Sequence, residues 1–157
     1  MNDKVKRISE LANKSFITFY HHPNAYSQPV ISCLEAALAR EVSLEDELKH
    51  ILLSVDTDFF LVHVPGNKRV DFNSVAEFTN ASEIRLANLK NSFGTSIHQG
   101  AVFPFDEPFW SLPHLIDNCV LNKQSISTND GTLRGYIKFN PNLLKLLPIY
   151  HLGEFSE

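Results

Sequence analysis

The chain has 157 residues, of which 43% are hydrophobic, and it carries 14 basic and 18 acidic side chains for a formal net charge of −4. This length and apolar content permit one domain with a real core, and we expect residues 1–157 to form that single domain. The negative balance excludes a protein that is basic over its whole surface, so a nucleic-acid partner would need a local basic patch.

The first half of the chain predicts helices and strands in alternation. We expect a helix over residues 3–14, a strand over 15–20, a helix over 32–40, a helical turn capped by Ser43 with Asp46, and strands over 49–55 and 59–64. Val5, Ile8, Leu11 and Ala12 share one face of the first helix.

The second half continues the mixture. We expect a helix capped by Asn73 and ending near Thr79, a strand over 83–87, a helix over 88–93 ended by Gly94, strands near 114–118, 124–127 and 133–139, and a last helix from Pro141 to Leu147 capped by Asn140. Short helices between strands favour an α/β (α+β) domain around a mixed sheet.

Cysteine usage and hydropathy predict a cytoplasmic protein without membrane segments. Cys33 and Cys119 lie in apolar contexts without a CxxC spacing, which predicts buried, reduced thiols. No apolar run approaches the ~20 residues that span a bilayer. The polar N-terminus lacks the apolar segment of a secretory signal.

Common catalytic and metal-binding signatures are missing from the sequence. It contains no GxGxxG, GxxxxGK[ST], HExxH or GxSxG pattern. His21 and His22 are the only adjacent histidines, and neighbours on a strand point to opposite faces, so they are poorly placed to share one ion. We therefore expect neither a metal nor a cofactor.

Two basic features stand out against this background. Lys49 opens an apolar strand in which alternation turns either Lys49 or His50 inward; it is either an edge lysine or a fixed cation for a phosphate or carboxylate. The turn "GNKRVD" carries Lys68 and Arg69, which form either a solvated loop or a small phosphate-contacting patch.

The stretch "SIHQGAVFPFDEPF", residues 96–109, is apolar and aromatic but has neither helical nor strand period. Gly100 allows a close backbone approach or a positive φ, and Pro104 stiffens the far end. Amide groups between them could converge on a carbonyl oxygen. The alternative is a packed connector whose prolines limit its freedom.

Taken together, these segments resemble the prolyl-tRNA editing domain family, also called the YbaK family of aminoacyl-tRNA deacylases. The resemblance covers about residues 5 to 148. In chain order, its segments are "FYHHPNAYS", "SLEDELKHILLSV", "LVHVPGNKRVDFNSVAE", "ASEIRLAN", "QGAVFPF" with its GxxxP motif, "LIDNCVL" and "GTLRGYIKFNPNLLKLL".

The resemblance implies a fold and a site. The fold is a mixed, mostly antiparallel sheet or partial barrel flanked by short helices. Lys49, which would contact the phosphate of the terminal nucleotide, and Gly100 are the implied catalytic residues. The implied substrate-binding residues are Phe19, His21, Ala101, Val102, Pro104, Phe105, Asn129 and Gly131, and the residues expected to bind tRNA are Lys68 and Arg69.

Three departures from the family pattern put the amino-acid preference in doubt. Asp106 stands where the family often has glycine, and could narrow the pocket, meet the substrate ammonium or cap the next turn. "ISTNDG" replaces a histidine that some subgroups carry near residues 127–129. A common glycine doublet is reduced to Gly131 and Gly135.

The resemblance therefore predicts a trans-acting aminoacyl-tRNA deacylase for a mischarged small amino acid, with tRNA(Pro) the first candidate. Aminoacyl-tRNA is the expected partner, and a synthetase or an elongation factor could assist. The family is thought to lack a side-chain nucleophile and to position water with the ribose hydroxyl of the tRNA. The alternatives are a catalytically inactive aminoacyl-adenosine or tRNA-binding module of the same fold, and an esterase for an unrelated small acyl compound.

Overall fold

The protein is described by a computed structural model that covers residues 3–93 and 97–157. Its α-helices in those ranges are α1 (Asp3–Lys14), α2 (Cys33–Arg40), α3 (Phe72–Thr79) and α4 (Leu89–Phe93). Its strands there are β1 (Phe19–His22), β2 (Leu48–Val55), β3 (Asp58–Pro65), β4 (Ile84–Leu86), β5 (His114–Asp117), β6 (Ile126–Asn129), β7 (Tyr136–Phe139) and β8 (Tyr150–Gly153). Short 3-10 helices occupy Leu44–Asp46, Gln99–Ala101, Asn118–Asn122 and Pro141–Leu146.

The strands form two sheets. The larger has the order β4-β2-β3-β5-β8, with antiparallel pairs among β4, β2 and β3 and parallel pairs among β3, β5 and β8. The smaller is antiparallel, with the order β1-β7-β6, and a bridge between Glu47 and Ser127 joins it to the larger sheet. The expected mixed and mostly antiparallel α+β fold is confirmed, and the described strands do not close into a barrel.

The hairpin of β2 and β3 is the centre of the larger sheet. The two strands pair over their full length, from Leu48 opposite Pro65 to Val55 opposite Asp58. Asp56 turns the chain in the left-handed region at φ 54°, a conformation that aspartate tolerates well. This long ladder of β-branched and aromatic residues fixes the start of β2, where Lys49 lies.

Helix α1 covers the smaller sheet and has the bounds that its period predicts. Val5, Ile8 and Ala12 are buried in the largest core cluster together with Phe105 and Phe139, and Leu11 packs at its edge. Full burial of each large side chain is worth about 1.5–3 kcal/mol, so this face anchors the helix.

Helix α2 is also confirmed, with the predicted serine at its start. The Ser32 hydroxyl accepts a hydrogen bond from the Glu35 amide at 3.1 Å. At the 3-10 turn Leu44–Asp46, Ser43 takes the cap position but its side chain makes no cap hydrogen bond.

Three predictions, of a strand start, a helix cap and a helix type, are wrong for local reasons. The strand expected over residues 15–20 begins at Phe19, because Phe16 turns the chain at φ 57° after the end of α1. The cap of α3 is Asp71 rather than Asn73, since the Asp71 carboxylate accepts from the Ser74 amide at 3.2 Å. The last helix is a 3-10 helix, although Asn140 does cap it.

Strand β8 was not predicted from the sequence. It joins the edge of the larger sheet by pairing in parallel with β5, from His114 opposite Tyr150 to Asp117 opposite Gly153. The predicted cap Gly94 lies outside the described residues. No helix within residues 3–93 and 97–157 has the length and apolar character needed to cross a membrane.

Candidate functional site

A cavity of about 250 Å³ lies where the two sheets meet. It is lined by residues of the segment before α2 and of α2 itself, of β2, of the 3-10 turn Gln99–Ala101, and of β6, β7 and their connection: Tyr26, Val30, Ile31, Ser32, Cys33, Ala36, Glu47, Leu48, Lys49, His50, Ile51, Gln99, Gly100, Thr128, Asn129, Thr132, Leu133, Gly135 and Tyr136. Most of the surface that lines the cavity is apolar. The cavity therefore suits a small ligand with few polar anchors.

Lys49 lies in the cavity wall, as the strand pattern allowed. It is half-buried, and its Nζ donates a hydrogen bond to the Lys68 carbonyl. Burial, and then the charge of Arg69, lower the pKa of Lys49 below its ordinary value. The turn with Lys68 and Arg69 thus lies beside Lys49, although neither of these residues lines the cavity itself.

Gly100 also lies in the cavity wall, for a steric reason. A Cβ atom at this position would come within 2.8 Å of the Ile31 carbonyl oxygen, so only glycine allows this close approach. The φ angle of Gly100 is not positive, so a left-handed backbone is not the reason for a glycine at this position. The neighbouring Gln99 donates from Nε2 to the His50 carbonyl at 2.8 Å, which ties the turn to β2.

The amides that follow this turn are already used. The Gly100 amide donates to His98 Nδ1 at 2.9 Å, the Ala101 amide to the His98 carbonyl at 2.8 Å, and the Val102 amide to the Gln99 carbonyl at 3.4 Å. Contrary to the expectation, Ala101 and Val102 do not present free donors that could stabilise an oxyanion.

The rest of the predicted loop faces the core. Val102, Pro104 and Phe105 are buried, and the Phe105 ring packs edge-on against Phe103 and Phe139. None of Ala101, Val102, Pro104 and Phe105 lines the cavity. The glycine–proline segment therefore contributes one residue, Gly100, and anchors it through its apolar side chains.

The other predicted substrate-binding residues divide into two groups. Asn129 lines the cavity and links two segments, donating to the Val102 carbonyl at 2.8 Å and accepting from the Gly131 amide at 2.8 Å. Phe19 packs against the core and His21 bonds Asp130 at 2.9 Å, while Gly131 turns the chain at φ +88°. These last three do not line the cavity.

Two residues that were not predicted form what we call the cavity floor, His50 and Thr128. Both line the cavity, both are almost fully buried, and His50 Nε2 lies 2.7 Å from Thr128 Oγ1. Burial lowers the pKa of His50 to about 3. Alternation along β2 allowed His50 to point inward, but no sequence signal pairs it with Thr128.

A buried cation lies against the same wall. Arg40, at the end of α2, pairs with Glu47, donates to the Ser127 hydroxyl at 2.8 Å and stacks 4.5 Å from the centre of the Tyr136 ring. Glu47 and Tyr136 both line the cavity. These contacts tie the end of α2 to the cavity wall, while the desolvation of the two charges offsets much of their attraction.

A more exposed part of the cavity wall, which we call the rim, consists of Val30, Ile31 and Leu133. The Val30 amide donates to the Leu133 carbonyl at 2.7 Å, and Ile31 is 47% exposed. Apolar side chains left open to solvent beside a cavity are typical of a contact surface for a ligand.

Both cysteines are free and half-buried. Cys33 lines the cavity, and burial raises the pKa of its thiol to about 11. Residues 3–93 and 97–157 contain no group of three or more His, Cys, Asp and Glu side chains arranged to hold a metal ion.

Two solved structures share this fold over nearly the whole chain. The hypothetical protein APE2540 has a TM-score of 0.81 at 21% identity, covering 96% of this chain and 99% of its own. A protein proposed to be a trans-editing enzyme for prolyl tRNA synthetase has a TM-score of 0.75 at 18% identity, covering 100% and 99%. At these identities the likeness establishes the fold alone.

No curated protein matches the sequence. The family model for the aminoacyl-tRNA editing domain matches residues 27–146, which is more than half of the chain and includes Lys49, Gly100 and the cavity floor. The resemblance read from the sequence is thereby confirmed, and the chain belongs to the aminoacyl-tRNA editing domain family.

Proposed function

We propose that this protein is an aminoacyl-tRNA deacylase that hydrolyses, in trans, the ester of a mischarged tRNA. The first candidate is tRNA(Pro) carrying a small, wrong amino acid. The substrate and partner is aminoacyl-tRNA, and a synthetase or an elongation factor could deliver it. Family membership supports the substrate class, and the geometry of the cavity supports the roles of its residues.

The observation that carries this proposal is the position of Lys49. It combines a half-buried ammonium in the cavity wall with a basic turn directly beside it. A volume of about 250 Å³ lies just below the ~300–1,000 Å³ of pockets for drug-sized ligands. The cavity accordingly takes the aminoacyl end, and the phosphate of the terminal nucleotide meets Lys49.

Hydrolysis of an aminoacyl ester does not require a strong side-chain nucleophile. An aminoacyl ester is already activated, so holding the ester and a water molecule in reacting geometry supplies much of the rate. Water adds to the ester carbonyl carbon, the bond to the ribose oxygen breaks, and one proton passes from water to that oxygen. Gly100 and Asn129 line the space for the acyl group, and the ribose hydroxyl of the substrate helps to place the water.

Lys49 also provides selectivity. A charge-assisted hydrogen bond to a phosphate is available to aminoacyl-tRNA but not to a free amino acid, which has no phosphate. The cation therefore favours the esterified amino acid over the free amino acid. An esterase for unrelated small acyl compounds would have no need of this contact.

The test is a deacylation assay on a panel of purified mischarged tRNAs with the wild-type protein, Lys49→Ala and Lys145→Ala. Lys145 is an exposed control on the 3-10 helix Pro141–Leu146. We expect the wild type to release one amino acid, Lys49→Ala to lose about 100-fold or more of the rate, and Lys145→Ala to match the wild type. A folded wild-type protein that releases nothing refutes the deacylase.

One observation favours the binding module as the second candidate. The amides of Gly100, Ala101 and Val102 are all occupied, so this turn offers no ready oxyanion donors among those three residues. A binding module would slow the spontaneous hydrolysis of a bound aminoacyl ester, whereas a deacylase accelerates it. The same assay, run at protein concentrations above the substrate concentration, separates the two.

A further inference from the structure

Three buried histidines from three adjacent strands form one continuous hydrogen-bonded chain. His50 lies on β2, His63 on β3 and His114 on β5. The Nδ1 atoms of His50 and His63 are 2.8 Å apart, and His63 Nε2 lies 2.8 Å from His114 Nδ1. All three side chains are at most 4% exposed. Water therefore does not supply the hydrogen bonds that these rings need.

The chain has two ends of different kinds. At the inner end, His114 Nε2 lies 3.2 Å from the Trp110 carbonyl oxygen. At the outer end, His50 Nε2 meets the Thr128 hydroxyl at 2.7 Å, in the floor of the cavity. The Thr128 hydroxyl also lies 3.2 Å from the Leu48 carbonyl. The chain thus runs from the cavity into the core and ends at a backbone acceptor.

The protons are assigned from the inner end, where hydrogen bonds to the backbone at Trp110 and Phe109 favour a proton on His114. Burial keeps the histidines neutral at neutral pH, with the pKa of His114 lowered to about 4 and that of His63 also lowered, and a neutral imidazole carries one proton. A carbonyl only accepts, so His114 bears its proton on Nε2 and accepts on Nδ1. His63 then donates from Nε2 and accepts on Nδ1.

The same reasoning extends the proton assignment from His63 to His50 and Thr128, which line the cavity. Because His63 Nδ1 accepts, His50 must donate from Nδ1, which leaves its Nε2 without a proton. That bare nitrogen accepts from the Thr128 hydroxyl at 2.7 Å, in place of the longer 3.2 Å bond from Thr128 to the Leu48 carbonyl. The Thr128 oxygen, in the cavity wall, keeps its lone pairs for a further donor such as a water molecule.

We propose that Thr128 Oγ1 accepts a hydrogen bond from the attacking water and so orients it, and that His50, His63 and His114 are positioning residues that hold the Thr128 hydroxyl proton turned away from the cavity. This inference rests on the proposed deacylase function. As the water oxygen bonds the ester carbon, Thr128 Oγ1 holds one water proton in a hydrogen bond, and the histidines stay neutral. When the bond to the ribose oxygen breaks, the other water proton passes to that oxygen.

A purely structural role would have the three histidines satisfy one another without reference to the cavity. The position of the outer end speaks against this, since the last hydrogen bond is made to a hydroxyl in the cavity wall. His63 makes the two roles separable, because it does not line the cavity but is hydrogen-bonded to His50, which does.

The experiment compares His63→Leu with His63→Gln in the deacylation assay. Leucine breaks both links, so we expect kcat to fall about 10- to 100-fold with KM unchanged. Glutamine can accept from His50 Nδ1 and donate to His114 Nδ1, so it should restore kcat to within about threefold of the wild type. Equal kcat values for His63→Leu and the wild type, or an equally low value for His63→Gln, would overturn the proposal.

A second pair of variants covers the case in which His63→Leu does not fold. Thr128→Val removes the hydroxyl at nearly constant volume and should lower kcat by a similar factor, whereas Thr128→Ser should retain activity. Nitrogen-15 NMR of the histidine rings gives a readout that is independent of turnover. It should show protons on Nδ1 of His50 and on Nε2 of His63 and His114, and the reverse assignment would overturn the inference.

The outcomes distinguish this inference from the proposed function. If the wild type releases amino acid in a Lys49-dependent way while Thr128→Val and His63→Leu match it, only the histidine chain loses its role. A wild type that releases nothing from any tRNA overturns both.

Discussion

The floor and the rim of the cavity are built in opposite ways. The floor residues His50 and Thr128 lie on strands β2 and β6, are at most 4% exposed, and are hydrogen-bonded to each other. The rim residues Val30, Ile31 and Leu133 lie in connecting segments, and the hydrogen bond of Val30 to Leu133 joins their two segments. The floor is polar and closed, whereas the rim is apolar and open.

This difference separates two tasks. A buried polar group is costly unless its partners are fixed, so the floor can hold one arrangement only. An exposed apolar edge has few fixed partners and can adapt to a ligand. We therefore expect changes near the floor to alter stability and the chemical step, and changes at the rim to alter binding.

Lowering the pH should have the largest effect, because it lowers the free energy of unfolding through the buried histidines at the floor and behind it. Unfolded histidines titrate near pH 6.5, whereas His50 and His114 have pKa values of about 3 and about 4 in the folded chain. Below pH 6.5 the unfolded state binds protons that the folded state does not. The free energy of unfolding should fall by up to about 1.4 kcal/mol per pH unit for each buried histidine.

Chemical denaturation between pH 7 and pH 4.5 measures this slope. A free energy of unfolding that stays constant over this range would show that the floor tolerates charge.

Gly100→Ala should disturb the boundary between floor and rim. The new Cβ would lie 2.8 Å from the Ile31 carbonyl, so the turn or the rim must move. Such overpacking costs about 1–3 kcal/mol, and a displacement near 1 Å at a site can lower kcat/KM by about 100-fold. Steady-state kinetics and thermal unfolding measure the two effects.

Gly153→Ala is the matched control, because its Cβ would meet the Phe155 ring at 2.7 Å, and neither residue lines the cavity. It should lose stability but keep kcat/KM. If both glycine variants lost activity equally, the effect at Gly100 would be one of general stability.

Leu133→Ala tests the rim alone. Removing a half-buried apolar side chain from the cavity should raise KM about fivefold while kcat stays constant. Leu86→Ala, at an exposed position on β4, should change neither constant. A fall in kcat for Leu133→Ala would contradict the division between floor and rim.

Arg69→Ala should have the smallest effect, since Arg69 is exposed and lies outside the cavity wall. We expect KM to rise only about two- to threefold at moderate salt. The slope of log KM against log salt should decrease by about 0.7 if one phosphate contact is lost. Arg85→Ala, on β4, should keep the wild-type slope.

The sequence predicted well what depends on local pattern or on family motifs. The period of α1, the β2–β3 hairpin and the start of α2 near Ser32 follow from neighbouring residues. Lys49 and Gly100 were assigned to the site through the resemblance, and both line the cavity.

The features that the sequence did not predict depend on contacts between segments that are far apart along the chain. His50, His63 and His114 are brought together only by strand order, and no spacing in the sequence signals their chain. Nor could pattern show that the side chains of Val102 and Phe105 turn toward the core, since the 96–109 stretch has no period. Strand β8 is short and pairs with a strand far away in sequence, so it had no local signal.

The raised pKa of Cys33 has a chemical consequence for a site that holds an activated ester. A thiolate in contact with such an ester would capture the acyl group as a thioester, and the same thiolate would be open to oxidation. With a pKa of about 11, the Cys33 sulfur stays protonated at neutral pH. The cavity thus keeps a small, polarisable side chain in its wall without a competing nucleophile, and the bound ester is left to water.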